Sequence, residues 1–246
     1  MDKVKFQKSL LKWYGRSARK LPWRESKDPY RIWVSEIMLQ QTQVKTVIPY
    51  FERWTQRFPT MQSLAKAPLN EVMKYWAGLG YYRRARMLHE GAKHAIKSCK
   101  GELPRTPGEL MAIPGIGRYT AGAIASIAFD QRAPLLDGNV IRVFSRIFAL
   151  KKNVQKTTTV AYLWELAESL LPIQNCGDFN QALMELGATV CTPETPRCVD
   201  CPVVSLCLAH AEGRETLYPI KNKKESLEKI RTYALVLRNK NKVALQ

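Results

Sequence analysis

Cys191, Cys198, Cys201 and Cys207 fall in the pattern C-x6-C-x2-C-x5-C with no histidine among them, and four thiolates in one short loop can hold a metal centre. Structural zinc generally uses two paired ligand knuckles or a Cys/His mixture, whereas a single C-x2-C flanked by wider gaps suits the edge of an iron–sulfur cube. The donor set therefore favours one [4Fe–4S] cluster and leaves zinc open. Disulfides would need an oxidising compartment, and the opening stretch MDKVKFQKSLLKWYGR scatters charge with no apolar segment, so export is not expected. Cys99 and Cys176 lie outside the pattern and are read as ordinary buried thiols.

A second motif, Ile113-Pro114-Gly115-Ile116-Gly117-Arg118-Tyr119-Thr120-Ala121, runs into the small-residue stretch Gly122-Ala123-Ile124-Ala125-Ser126. Gly115 and Gly117 permit a tight turn with positive φ, and the free N–H groups of a helix that starts there carry the positive end of its dipole. Such a hairpin grips a backbone phosphate without reading sequence; alone, it would equally suit a plain turn between two helices. Composition points the same way. The chain carries 39 Lys+Arg against 21 Asp+Glu, a formal charge of +18, with 46% hydrophobic residues to build a core. This is a folded basic protein with nucleic acid as the expected partner. No apolar run approaches the roughly 18 residues of a membrane-spanning helix, so a soluble, cytoplasmic protein with no membrane partner is expected.

The elements that must position these residues read as helical through about residue 216. Phe6, Leu10, Trp13 and Tyr14 recur at helix spacing, as do Trp33, Ile37, Val44 and Ile48, and segments 82–99, 117–129, 137–150, 157–171 and 179–190 behave alike. Connectors such as Leu21-Pro22-Trp23, Ala67-Pro68, Leu103-Pro104 and Ile113-Pro114-Gly115 punctuate them. Beyond Tyr218-Pro219 the composition changes. Residues 221–230 form a Lys/Glu-rich linker, Tyr233–Leu237 reads as a strand, Arg238–Lys242 as a turn, and Val243 opens a second strand. A lone hairpin is not independently stable, so a longer domain is expected to follow it.

Several motifs in order resemble the endonuclease III superfamily of DNA repair glycosylases: the P-G-I-G hairpin, Leu136-Asp137-Gly138-Asn139-Val140, and the four-cysteine loop. Pro22-Trp23-Arg24, the run Trp33–Val44 and Gly78-Leu79-Gly80-Tyr81-Tyr82 resemble its adenine-specific branch. The resemblance covers essentially the whole chain. It implies an all-α fold of two lobes: a six-helix lobe over 22–132 with the helix–hairpin–helix at 113–121, and an iron–sulfur lobe built from 1–21 and 133–216. A linker at 217–230 would lead to 231–246, the start of a C-terminal domain that reads the oxidised guanine, of which only the opening hairpin is present. It further implies a monomer acting on double-stranded DNA with adenine opposite 8-oxoguanine or guanine, nucleoid-associated when bound.

Releasing adenine calls for one carboxylic acid to protonate the purine and one carboxylate to face the positive charge growing on the sugar. Glu36, within Ile32, Trp33, Val34, Ile37, Met38 and Leu39, is expected to have a raised pKa and to supply the proton. Asp137, before Gly138 and Asn139 at a helix start, is expected to stay ionised through backbone donors, although an N-cap role accounts for it equally well. With Tyr119 and Asn139 these form the candidate catalytic set. Tyr119 stands where the bifunctional branch has a Schiff-base lysine, which implies a glycosylase that does not cut the strand. By resemblance, Gln41 and Tyr81 wedge into the duplex beside Thr42, and Trp23, Arg24, Leu39 and Gln181 surround the flipped adenine; Trp23 and Leu39 would suit a core as well. Gly115, Gly117 and Arg197 would meet phosphates. An endonuclease III-like glycosylase/lyase is disfavoured by Glu36 and Tyr119, and a non-catalytic iron–sulfur DNA binder by retention of both carboxylates.

Overall fold

In a computed structural model of the chain, residues 1–222 are described, together with the backbone of a short ladder at 238–239 and 242–243. The described residues form twelve α-helices joined by short turns. The first six are α1 (Lys3–Ser17), α2 (Pro29–Leu39), α3 (Val44–Arg57), α4 (Met61–Lys66), α5 (Leu69–Trp76) and α6 (Arg83–Ser98). They are followed by α7 (Pro107–Met111), α8 (Arg118–Phe129), α9 (Gly138–Ile147), α10 (Thr157–Leu170), α11 (Cys176–Thr189) and α12 (Leu208–Ala211). Local chemistry sets many of the starts. Asp28 accepts from the N–H of Tyr30 and Arg31 with Pro29 at the first helical position, Thr60 and Ser63 form a reciprocal capping box, and Thr106 caps α7 ahead of Pro107.

Two hydrophobic cores result. Trp33, Phe51, Trp54, Phe58, Trp76 and their neighbours fill the first, built from α2 to α8. Phe6, Leu10, Phe144, Leu163, Phe179 and Leu186 anchor the second, which joins α1 to α9, α10 and α11. Helix α8 belongs to both, because Ala121, Ile124 and Ala125 face the first core and Ala123 the second. Its other small residues let backbones meet. A Cβ on Gly122 would lie 2.0 Å from the carbonyl oxygen of Pro134, and one on Gly177 of α11 would lie 2.5 Å from that of Ser126. The Asn180 amide completes this seam by donating to Ser126 Oγ and to the Ala133 carbonyl, each at 2.9 Å.

Three expectations change. The apolar periodicity of Trp33, Ile37, Val44 and Ile48 reads as one helix, yet the chain breaks at Gln40–Gln43, with Gln41 in the left-handed region at φ 56°. Residues 217–222, expected as free linker, are pinned to the second lobe: Val154 N–H donates to the Ile220 carbonyl at 3.0 Å and Asn222 N–H to Gln155 Oε1 at 2.8 Å. Arg238 and Asn239 pair antiparallel with Val243 and Lys242, so Arg238, Asn239 and Lys242, expected as turn, are in the ladder, together with Val243, the position expected to open the second strand; the strand expected at 233–237 lies outside the described residues. Among the described residues, no helix is long and apolar enough to cross a membrane.

Candidate active site and metal centre

Between the two cores lies a cavity of about 900 Å³ lined by Trp23, Arg24, Glu36, Leu39, Gln41, Thr42, Tyr119, Asp137, Asn139 and Gln181, among others. The fold thus brings to one place every candidate catalytic residue and all the candidate base contacts except Tyr81, Gly115 and Gly117. Tyr81 and Gly115 line the adjoining cleft with Gln41.

Glu36, on the buried side of α2, is 6% exposed. The Tyr119 hydroxyl, from the first turn of α8, donates to its Oε2 at 2.6 Å. Burial pushes the Glu36 carboxyl up to about 7; the Tyr119 bond pulls down, the Asp137 charge pushes up, and Arg24 pulls down. Burial, reinforced by the Glu36 and Asp137 charges, raises the Tyr119 phenol well above its ordinary range, so it stays a donor at neutral pH. Met184 Sδ, 3.3 Å from the same hydroxyl, gives its proton another acceptor when Glu36 itself is protonated.

Asp137 is the N-cap of α9 and a wall of the cavity at once, so the two readings of it are not exclusive. Its Oδ1 accepts from Val140 N–H at 2.7 Å and its Oδ2 from the Asn139 amide at 2.8 Å. The direction of its pKa differs from expectation. Burial raises the carboxyl above the ordinary aspartate value, and the Val140, Asn139 and Arg142 donors and charge only moderate that rise. Asn139 is itself held by Arg142, whose Nη2 donates to Asn139 Oδ1 at 2.9 Å and to the Gly187 carbonyl at 2.8 Å, while Nε donates to the Cys191 carbonyl at 2.8 Å. A chain of hydrogen bonds therefore runs from Asp137 to the first cysteine of the loop.

Arg24 lines the cavity but commits its guanidinium to the protein. Its Nη2 donates to Glu185 Oε2 at 2.9 Å, its Nη1 to the Arg19 carbonyl at 3.1 Å, and the guanidinium lies 5.5 Å from the Tyr14 ring centroid. Glu185, fully buried on α11, also takes two donors from the Arg19 guanidinium at 2.6 and 2.9 Å. Burial alone would raise the Glu185 carboxyl, but the two arginines outweigh it and hold it below its ordinary value. Sequence reasoning missed Glu185 and Arg142. The only local trace of Arg142 is its place on α9, one turn beyond Asn139, while Glu185 finds its partners 166 and 161 positions away. Trp23 is buried, packing edge-on against Phe51 with centroids 5.4 Å apart, and still presents a face to the cavity.

In the hairpin only Gly115 uses the left-handed region, at φ 85°; Gly117 is the extended N-cap of α8 at φ −90°, and no side chain caps that helix. The first N–H groups of α8 are thus left without a side-chain acceptor.

Cys191, Cys198, Cys201 and Cys207 all line one hollow with Val143, Ile147 and Leu186, and none is in a disulfide. Burial, aided by the hydrogen bond to Glu215 and its charge and then by the neighbouring cysteines, pushes Cys198 up to about 11, and burial with the neighbouring cysteines pushes Cys201 up to about 12, so as bare thiols they stay protonated. Arg146, 2% exposed, is the only buried cation beside them among the described residues; it donates to Cys191 Sγ at 3.3 Å and to the carbonyls of Thr192 and Pro193 at 2.6 Å each. Four cysteines lining one hollow, with a buried arginine donating to one of their sulfurs, fit an anionic thiolate-bound centre. His210 and Glu215 place a second donor group within 4.8 Å of Cys198. Cys99 is half-buried against the first core and Cys176 is buried in the second, both apart from this set.

Residues 34–169 match the family model of the HhH-GPD superfamily of base excision DNA repair proteins. The chain is 50% identical over 230 residues to the adenine DNA glycosylase of Rattus norvegicus, covering 89% of this chain and 45% of that one. It is 52% identical over 213 residues to that of Homo sapiens, covering 83% and 39%. To the adenine DNA glycosylase of Buchnera aphidicola subsp. Schizaphis graminum it is 40% identical over 237 residues, covering 96% and 68%. The chain thus spans less than half the length of the two mammalian relatives. A thermostable thymine-DNA glycosylase structure superposes with TM-score 0.77 at 31% identity, covering 85% of this chain and 97% of that one. A trapped endonuclease III–DNA intermediate superposes with TM-score 0.70 at 22% identity, covering 87% and 99%, and shares the fold.

Proposed function

We propose that this chain, which belongs to the HhH-GPD superfamily of base excision DNA repair proteins and within it to the adenine DNA glycosylases, hydrolyses the N-glycosidic bond of adenine mispaired with 8-oxoguanine or guanine in duplex DNA. The observation that carries this reading is the buried Glu36 carboxyl, held near neutrality and oriented at 2.6 Å by Tyr119, in one cavity with Asp137. The cavity's size suits a flipped base, lying within the ~300–1,000 Å³ usual for ligand sites. Gln41 and Tyr81 wedge into the stack, and the uncapped start of α8 holds a backbone phosphate.

Protonated Glu36 passes its proton to N7 of the extruded adenine. The C1′–N9 bond then breaks with its electron pair leaving on the purine, and Asp137 faces the resulting oxocarbenium ion. Water adds to C1′, its proton returns to the Glu36 carboxylate, and an abasic site remains. The test is a single-turnover assay on duplexes carrying adenine opposite 8-oxoguanine, guanine or thymine, each scored with and without alkali. Adenine release from the first two, with strand breaks only after alkali, is expected; breaks without alkali would restore the lyase reading.

Tyr119 also provides a gain-of-function test. Tyr119→Lys places an amine where the sister branch has its Schiff-base lysine; it can add to the C1′ aldehyde of the abasic product with loss of water. Borohydride is expected to trap a covalent complex on adenine-mismatch DNA. Adenine excision without any trapped complex would show that position 119 does not reach C1′.

The four loop cysteines fit a [4Fe–4S] cluster, which when bound fastens the loop following α11 and, through the Cys191–Arg142–Asn139 bonds, the start of α9. Purified protein is expected to be yellow-brown with matched iron and labile sulfide, and Cys198→Ser to lose most of that colour. Stoichiometric zinc without sulfide in anaerobically prepared protein would favour a single ion held with His210 and Glu215.

A further inference from the structure

Arg84, in the first turn of α6, joins two turns that the sequence keeps far apart. One is the break after α2, Gln40–Gln43; the other is Ala77–Tyr82, between α5 and α6. Each carries at its tip a side-chain-bearing residue in the left-handed region, Gln41 at φ 56° and Tyr81 at φ 46°. Such conformations persist where the surroundings over-determine them.

Trp76 Nε1 donates to the Gly80 carbonyl at 3.0 Å, but the group that reaches both turns is one guanidinium. Arg84 Nη1 donates to the carbonyls of Ile37 at 2.9 Å and Met38 at 3.0 Å and also to that of Gln40, the last acceptors of α2. Its Nη2 donates to Thr42 Oγ1 at 3.1 Å and reaches the carbonyls of Leu79 at 3.3 Å and Gly80 at 3.4 Å. The same group lies 5.3 Å from the ring centroids of both Trp76 and Tyr81. No carboxylate pairs with it among the described residues. Its Nη donors are committed inward, so none is left to meet a phosphate.

We propose that Arg84 is a positioning residue that locks the Gln41 turn and the Tyr81 turn into a single unit, so that both side chains enter the duplex together. The proposal rests on the reading of those two residues as the wedge. A lysine at 84 keeps the charge but not the planar fork that serves both turns at once.

Extrusion of the target base is read by the fluorescence of 2-aminopurine opposite guanine, alongside single-turnover excision of adenine from a duplex of the same sequence with adenine at that position. Misplacing a positioned group by about 1 Å can cost ~10²-fold, so Arg84→Lys is expected to lower extrusion and excision about 10- to 100-fold. The dependence of affinity on salt is expected to stay unchanged, because no phosphate contact is lost. Gln41→Ala and Tyr81→Ala are expected to be strongly non-additive in the wild-type chain and additive in Arg84→Lys.

Additivity in the wild-type chain, with both single variants impaired, overturns the lock while leaving the wedge reading intact, and needs no Arg84 variant to fold. Normal extrusion by both single variants sinks the wedge reading and the lock with it. A salt slope reduced by about one in Arg84→Lys would make the residue a phosphate contact instead.

Discussion

Glu36→Gln is expected to lose at least ~10²–10⁴-fold in the single-turnover rate of adenine release, the range typical of a general acid, with mismatch affinity nearly unchanged. The amide keeps the shape and can still accept from Tyr119, but it has no proton to give to N7. The pH dependence follows from the same carboxyl. Because burial pushes Glu36 up to about 7, the rate of the wild-type chain should fall about tenfold per unit above that pH, and should fall again in acid as the Asp137 carboxylate, itself raised by burial, takes up a proton. Stability declines in the same direction. A folded-state pKa above the unfolded one favours the native chain at low pH, and that advantage is lost as pH rises from the ordinary 4.5 through about 7. Unfolding curves should therefore show Glu36→Gln gaining on the wild type between pH 5 and pH 8. A variant that releases adenine at a near-normal rate would remove Glu36 from the acid's role; one that is slow but gains no stability at pH 8 would mean that the carboxyl is not desolvated.

The largest stability effect is expected at Glu185. Removing one partner of a buried ion pair strands the others, at a cost of about 3–5 kcal/mol. Here Glu185→Ala strands Arg24, whose side chain is 15% exposed, and releases Arg19, which at 38% is better placed to recover water and adds less. The direction with pH is fixed by the sign of the shift. Glu185 is held below its ordinary 4.5, so its contribution is present above that value and disappears as pH falls through the folded one. Denaturant unfolding at pH 7 and at pH 3 checks both points. A loss under ~1 kcal/mol at pH 7, or one that does not shrink in acid, would mean that the triad is not holding the floor of the cavity.

How much of this could be read from the chain depended on the range of the contacts. Local signals served well: periodicity located α6, α8, α9 and α10 to within a few residues, and the types and order of Glu36, Tyr119 and Asp137 picked out residues that the fold brings into one cavity. The start of α11 was placed late, at 179 instead of 176, because its first turn is anchored from outside the helix, by Asp130 accepting from the N–H groups of Asn175 and Gly177. The break at Gln40–Gln43 was hidden by an apolar pattern that happens to continue in phase across it. Arg84, Arg142 and Glu185 were invisible for one reason, since each is defined by acceptors brought to it only by folding. The direction of the Asp137 shift was misjudged similarly. The donors were legible in Gly138-Asn139, but the depth of burial that outweighs them was not.

The seam at Gly122 and Gly177 has a mechanical meaning. Where Pro134 and Ser126 carbonyls lie against those glycines, the two halves of the molecule touch main chain to main chain, with no layer of side chains between them that could slide or compress. The gap that would receive the base on the proposed reading is braced at this seam. On the proposed reading, the work of deformation falls on the substrate: the duplex must kink to deliver its adenine, and steps that unstack cheaply, as at a mismatch, deliver it at lower energy. Part of the selectivity for damaged DNA would then reside in the stiffness of the nucleic acid, tested against an unyielding protein.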